Sequence, residues 1–350
     1  MNNNSNNSKK KNIDKLPGIG NLTKQQGLGI FYTAAFIVAL IVILHTNVLA
    51  DPHTELVKKI CACLLIAVSC IVVTAFYEKI MVLPVELWQN RKLIKRLSIN
   101  DFKKRYAGSY MGIVWALAQP VVTVLMYWFV FDIIFNQETS AIARGGTAVP
   151  YVLFLTSGLV PWFYFTEALQ NGTTSLLEYN YLVKKVLFKI SILPLIKVMA
   201  ALFIHAFFIL VMFVVAIFYG YTPTIYTLQI FYYIICEFIL VLAISYTTCS
   251  IVVFFRDLTQ IIAIALQLGQ WATPILWDIN TMIKNDNLKW IIKLNPVTYI
   301  VEGFRNAVYG DTWFWEHFYS STYFWLVTVA LFVIGSLIFK RSKVHFADVM

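Results

Sequence analysis

Charge is scarce in this chain of 350 residues. Only 13% are Asp, Glu, Lys or Arg, against 59% apolar, and an ordinary soluble domain carries about 25% charged residues. That shortage excludes a freely soluble globular protein and points to a polytopic membrane protein. Nucleotide-cradling loops are lacking as well. The dipeptide Gly-Lys never occurs, which excludes a Gly-x-x-x-x-Gly-Lys-Ser/Thr site in this chain. Neither His-Glu-x-x-His nor Gly-x-Ser-x-Gly is present, so the zincin and serine-hydrolase signatures are missing. The five histidines, His45, His53, His205, His317 and His345, are scattered, whereas a polytopic transferase needs its His, Asp, Glu or Arg set at one membrane face. Cys61, Cys63, Cys70, Cys236 and Cys249 all lie in apolar runs without pairing or metal-ligand spacing and read as small packing residues. No metal site is expected. The energy for any active transport has to come from another chain or from an ion gradient.

What is present is a basic stretch feeding an apolar one. From Arg91 to Arg105 there are seven Lys/Arg (Arg91, Lys92, Lys95, Arg96, Lys103, Lys104, Arg105) and one Asp, and from Tyr106 to Phe131 there is no charge at all. A cationic helix suits an anionic leaflet, and about 20 apolar residues cross the hydrocarbon. The net charge of +10 is spread over short segments between apolar runs, which is the positive-inside pattern rather than a nucleic-acid footprint. No nucleic-acid partner is expected.

Charge-free runs place eight spans: about Leu28–Leu49, Ile60–Phe76, Ile113–Phe131, Pro150–Thr166, two within the region from Lys197 to Phe255 split by Gly220-Tyr-Thr-Pro223, Leu258–Trp277, and Ser320–Phe339. With the N-terminus inside, the inner segments hold 20 Lys/Arg and the outer ones 7, which orients both termini to the cytoplasm. Residues 1–27 read as a disordered cytoplasmic tail without a cleavable signal, 28–83 as an added two-span module, and 84–350 as a six-span core.

Several segments invite a functional reading. Around 86–97, Leu87, Leu93, Ile94 and Leu97 share one helical face and Lys92, Lys95 and Arg96 the other. This is either a juxtamembrane anchor or a helix that also braces a cytoplasmic partner. Gly108 and Gly112 form a Gly-x-x-x-Gly step suited to close helix packing. The inner loop 171–194 carries Leu176, Leu177, Leu182, Val183 and Val186 beside Lys184 and Lys185, as a second interfacial helix or as a short helix docked in another protein. Pro274 and Pro296 interrupt the last outer segment, which reads as half-helices dipping into the outer leaflet or as an amphipathic cap. Asp132, Glu167, Lys197, His205 and Glu237 lie in or near spans, where they line a polar conduit or pair locally. The clusters Tyr127-Trp-Phe-Val-Phe131 and Trp162-Phe-Tyr-Phe165 serve interfacial belts or, facing inward, a wall suited to sugar rings.

At this point the residues resemble a known family. Phe102-Lys-Lys-Arg-Tyr-x-Gly-Ser-x-x-Gly112-x-x-Trp115 with Pro120, Ser157-Gly-Leu-x-Pro-Trp162-x-x-Phe165 with Asn171, Leu182-Val-Lys-Lys-Val with Pro194, and Leu294-Asn-Pro-x-Thr-Tyr299 through Phe304-Arg-x-x-x-Tyr309-Gly are similar to the membrane subunit of polysaccharide ABC exporters of the ABC-2 type. The resemblance covers residues 84–350. It implies an all-α polytopic permease of six spans, here preceded by two extra ones. It implies a gate helix near 86–105, a coupling helix near 173–186 using Leu182, Val183, Lys184 and Lys185, and re-entrant helices near 279–309 using Pro274, Asn295, Pro296, Tyr299 and Arg305. It further implies a homodimer in the bacterial cytoplasmic membrane, surrounded by membrane lipids. Its channel carries an undecaprenyl-linked O-antigen, capsular polymer or teichoic acid, with Tyr127, Trp128, Trp162 and Tyr164 as conduit candidates. Two copies of a separate ATPase supply the energy, so ATP and Mg belong to that partner and this chain itself binds no cofactor. The alternative is an exporter of a drug, lipid or small peptide.

Overall fold

The structure, a computed structural model, describes residues 24–44, 52–105, 107–108, 110–112, 114–135, 141–144, 146–183 and 189–349. It is all-α. Among the described residues the only sheet-like pairing is a single bridge between Ile142 and Ala148. The long helices are α1 (Lys24–Leu44), α2 (Pro52–Gln89), α3 (Arg91–Arg105), α4 (Val114–Tyr127, continued by a π-helical segment Trp128–Ile134) and α5 (Tyr151–Glu178). A short α6 (Asn180–Val183) leads to α7 (Leu193–Phe218) and α8 (Gln229–Val252). After α9 (Leu258–Ala272) come the short α10 (Ile279–Met282), α11 (Asp286–Lys293) and α12 (Pro296–Tyr309), then α13 (Phe318–Ser342) and α14 (Phe346–Val349). Of the expected tail, residues 1–23 lie outside the described residues.

Among the described residues, five helices are long and apolar enough to cross a membrane: Gln25–Leu44, Tyr151–Glu178, Ile190–Phe218, Ile225–Val252 and Phe318–His345; two shorter apolar stretches, Ala62–Ala75 and Val121–Ile134, accompany them. Three expectations change. The span placed at Leu258–Trp277 is α9, which stops at Ala272. Its 15 residues reach about 22 Å, short of a bilayer core of roughly 30 Å. The helix expected to start near 86 is the end of α2, which runs through Pro84 and yields to α3 only at Asn90; the boundary at 83/84 therefore falls inside a helix. Gly108 and Gly112 make no helix–helix step. Both lie in the turns joining α3 to α4 with φ of 85° and 52°, a left-handed backbone that glycine adopts without steric cost.

The core is built around α5, which packs on α7 and α8 and is also touched by α9 and α12. Twenty of its residues are buried, from Tyr151 to Leu176. α13 closes on α8 and on α2. The α8–α13 approach is close: a Cβ at Gly335 would sit 2.7 Å from the Ala243 carbonyl oxygen. Charged and loop residues gather at two ends. One end carries α3, the last turn of α5 and the first of α7. At the other, Arg144 donates to the carbonyls of Thr222 (2.9 Å) and Val308 (3.0 Å) and to the Thr224 hydroxyl, fastening three connections together.

Gly335→Ala is expected to destabilise the bundle by about 1–3 kcal/mol through overpacking against backbone. Gly29→Ala, where nothing lies within 4 Å, should be neutral or slightly stabilising. Thermal unfolding in detergent reads the difference; equal midpoints for the two variants would show that α8 and α13 are not in this contact.

Candidate functional site

The basic helix comes first. On α3 the buried residues are Ile94, Ser98, Asp101 and Phe102, spaced so that one stripe faces inward. That stripe packs on α7, with the Phe102 and Phe203 rings 5.1 Å apart. Leu93, expected on the apolar face, is exposed, and Leu87 and Leu97 are half-buried. Arg91, Lys92, Lys95, Arg96, Lys103, Lys104 and Arg105 all fall on the exposed side. The site therefore presents a row of cations to its surroundings while its other face is bolted to a span.

The bolt is ionic. Lys197 on α7, 6% exposed, donates to Asp101 of α3 at 2.9 Å and to Glu178 at the end of α5 at 2.6 Å. Tyr179 donates to the same Asp101 carboxylate at 2.5 Å, and its ring lies 5.0 Å from the Lys197 ammonium. Burial and the neighbouring Asp101 push the Tyr179 hydroxyl well above its ordinary value, so it remains a donor. Arg105 pairs with Glu167 of α5. Burying a lone ammonium is costly, whereas one held by two carboxylates is compensated.

These partners decide between conduit and local pairing for the intramembrane ionisable groups. Glu167 and Lys197 are paired as above. Asp132 accepts from Trp128 Nε1 and from the Tyr219 hydroxyl, both at 3.1 Å. His205 and Glu237 face one another at 3.9 Å, fully enclosed between α7 and α8. Local pairing accounts for Asp132, Glu167 and Lys197, whereas the buried side chains of His205 and Glu237 stand beyond hydrogen-bond distance of each other and have no hydrogen-bond partner among the described residues.

The connection after α5 differs from the expected 173–186 helix. Residues 173–178 are the last turns of α5, with Leu176 fully buried. In α6, Val183 is 3% exposed and Leu182 half-buried against the same core. Three of the apolar residues thought to await a partner, Leu176, Leu182 and Val183, are thus used internally. Lys184, Lys185 and Val186 lie outside the described residues. The large side chain that α6 does present is Tyr181, 52% exposed. Sequence reading missed it because one aromatic in a basic loop looks like an interfacial anchor.

The aromatic candidates divide. Tyr164 is 1% exposed, with its hydroxyl donating to the Val198 carbonyl and its ring 4.7 Å from His205. Trp162 is 4% exposed and lies under Gly269 of α9. Both serve packing inside the protomer, because inward positions of α5 meet α7 and α9 rather than open space. Tyr127 is half-buried and stacks on Phe131, while Trp128 is at the surface. Four further side chains stand out on α9: Ile261, Ile264, Leu268 and Trp271 form an exposed stripe opposite the buried Leu266.

The proline-broken segment folds around Arg305. From α12 this side chain reaches back to the chain break after α9 and donates to the carbonyls of Pro274 (2.7 Å) and Ile275 (2.8 Å). It also pairs with Glu302 at 2.9 Å and lies 3.6 Å over the Phe154 ring of α5. Asn295 caps α12 through Val297 N–H and donates to Thr273 at 2.9 Å; Pro296 takes the first helical position, where a missing N–H costs nothing. Tyr299 joins Tyr232 (3.2 Å) and Ser321 (2.8 Å) in a hydroxyl chain. Irregular backbone is thereby satisfied by protein groups, the condition for keeping it at membrane depth.

Arg305→Lys should loosen this segment, because an ammonium cannot span two carbonyls as a planar guanidinium does. The expected loss is about 1.5–3 kcal/mol, the worth of a charge-assisted hydrogen bond, read as faster limited proteolysis between α9 and α12. Cleavage at the native rate would refute the clamp.

With this geometry in hand, comparison with known proteins is informative. The O-antigen export system permease protein RfbA of Klebsiella pneumoniae is 29% identical over 261 residues, covering 74% of this chain and 95% of that protein. A second protein of that name from the same organism is 27% identical over 260 residues, covering 74% and 95%. The one from Myxococcus xanthus is 26% identical over 267 residues, covering 75% and 97%. The family model for ABC-2 type transporters matches residues 92–309, from the basic helix to the end of the Arg305 helix, and the chain belongs to the ABC-2 type transporter family.

Proposed function

We propose that the chain is the membrane-embedded permease subunit of an ATP-driven polysaccharide exporter, moving an undecaprenyl-type lipid-linked glycan across the cytoplasmic membrane. The observation that carries this reading is the near-complete coverage, 95–97%, of O-antigen export permeases. The absence of a phosphate-cradling loop from the sequence leaves ATP and Mg to a separate ATPase, two copies of which would serve a homodimer. The exposed stripe on α9 and the exposed apolar side of α4, with Trp115, Val122, Leu125 and Phe129, offer the surface a second copy would cover. Both would be interior to such a dimer. Trp128, Trp115 and Trp271 replace Trp162 and Tyr164 as aromatic wall candidates on the sugar-facing side. The end bearing α3 and α6 is cytoplasmic in this reading, from the Lys/Arg asymmetry, with both termini on that side. Tyr181 is the side chain we assign to the ATPase contact, with Lys184 and Lys185 beside it in sequence.

Deleting the chain from its host should abolish surface polysaccharide while lipid-linked polymer accumulates inside. Intact surface polysaccharide with sensitivity to a small toxic compound would instead favour a drug, lipid or peptide exporter. Tyr181→Asp should leave membrane abundance unchanged, lower export about tenfold and weaken co-purification of the ATPase, since a charge in a desolvated aromatic contact leaves a polar group unpaired. Undiminished export in that variant would remove Tyr181 from the contact. For orientation, a cysteine at Asn287 on α11 should react with an impermeant reagent from outside and one at Lys340 on α13 should not; the opposite pattern reverses the topology.

A further inference from the structure

We propose that Lys197, Asp101, Glu178 and Tyr179 form the joint through which movement of the α5–α6 end reaches the basic helix α3. The inference rests on the assignment of α6 to the ATPase contact and goes beyond it, by naming how a push there would be passed on. Three elements meet at one ammonium. Asp101 comes from α3, Glu178 and Tyr179 from the corner where α5 turns into α6, and Lys197 from the first turns of α7. Glu178 and Tyr181 are three residues apart, so a load on the exposed Tyr181 arrives first at Glu178 and Tyr179. Tyr179 grips the same Asp101 oxygen as Lys197, and displacement of the corner has to pull on α3 or break a buried charge-assisted bond, the costly alternative.

The rest of the surroundings is built to let that pull act. α3 is linked to the turn before it by Asn90, whose side chain donates to the Glu86 carbonyl at 2.6 Å, and to α4 by turns holding Gly108 and Gly112 at positive φ. A one-residue break at Asn90 and the glycine turns thus bound it at its two ends. Its apolar stripe of Ile94 and Phe102 keeps it against α7 without directional bonds, a contact that permits sliding. The directional bonds are at Asp101 and, one turn on, between Arg105 and Glu167. Glu178 is also braced on its own helix by Thr174, which donates at 2.7 Å, so the carboxylate moves with the helix end rather than swinging free. The lysine is therefore a positioning residue. It touches no substrate and acts by keeping two mobile parts in register.

Spin-label distances in the full chain reconstituted with its ATPase in lipid nanodiscs test this. In a background lacking the native cysteines, one label pair joins Asn180 on α6 to Lys340 on α13, and the other joins Asn100 on α3 to Lys340; all three positions are exposed. In the native joint, replacing ADP by a non-hydrolysed ATP analogue should shift both distances. In Lys197→Met the Asn180 distance should still shift and the Asn100 shift should vanish, with ATP hydrolysis retained and export down about tenfold, the scale of one charge-assisted contact. Lys197→Arg, which can still bridge two carboxylates, should restore the Asn100 shift. Glu178→Gln, at a half-exposed position where the amide oxygen can still accept from Lys197, should weaken the same shift, and it decides the matter if Lys197→Met fails to assemble. An Asn100 shift that persists unchanged in the assembled variants overturns the joint alone, as does a native complex in which only Asn180 moves. A native complex in which neither moves overturns the assignment of α6 as well.

Discussion

The placement of one ammonium governs this end of the molecule. Lys197 sits on a helix with no other Lys, Arg, Asp or Glu, and a charge there is tolerable only where its carboxylates are fixed. That requirement brings Asp101 and Glu178 to one point although they stand 77 residues apart in the chain. It therefore sets the register of α3 on α7, decides where α5 ends, and aims the corner that leads into α6. Apolar packing alone would not do this. In a membrane, lipid competes equally for apolar side chains, so helices are located by close packing and by polar links.

The same logic recurs at two other cations. Arg144 gathers the connections before α5, after α7 and after α12, and Arg305 holds the break after α9 against α5. Scarcity of charge thus has a structural meaning. Few charges are spent on general solubility; Lys197, Arg144 and Arg305 within the bundle each tie segments distant in sequence, and the basic row of α3 is left exposed to meet its surroundings. The low charge content and the clustering of Lys and Arg on α3 are two aspects of one division of labour.

Much of this was legible in the sequence. Charge-free runs gave the apolar helices, because the cost of a charge in hydrocarbon is imposed residue by residue. Pro274 and Pro296 marked the broken segment between α9 and α12, because proline's missing N–H acts locally. What sequence could not give was choice of partner. Lys197 was visible as an intramembrane cation, but nothing in its neighbourhood names Asp101. Tyr164 and Trp162 carried the same aromatic signal as exposed belt residues, since an aromatic ring suits lipid, sugar and protein interior alike. The glycines 108 and 112 matched a packing motif whose four-residue spacing also serves a double turn, and only backbone angles separate the two. The helix carrying the second span outruns that span for a related reason: loss of apolar character after Phe76 marks where a helix leaves the hydrocarbon, not where it stops being a helix.

The N-terminal extension follows from core membership along α2. Its early residues Ala62 and Ile66 form a small cluster with Val42 of α1, against Phe318 and Leu326 of α13. Its last turns belong to the main core through Leu83, and Glu86 accepts from Ser191 just ahead of α7. One continuous helix thus serves two cores, so removing the segment before about residue 77 would strip a layer, whereas cutting at 84 would open the bundle where α7 begins. α1 itself buries little beyond Val42, leaving Phe36, Leu40, Ile43 and Leu44 exposed. In lipid such a surface costs nothing, and polar links such as Tyr32 to Thr74 and Lys59 to the Ile43 carbonyl supply what packing does not. The layer rests on α13, while the apolar sides of α4 and α9 stay uncovered. An ABC-2 core can therefore acquire these two helices without losing the faces on which its proposed pairing depends, and the place to look for their role is the surface they add beside α13 rather than the path of the substrate.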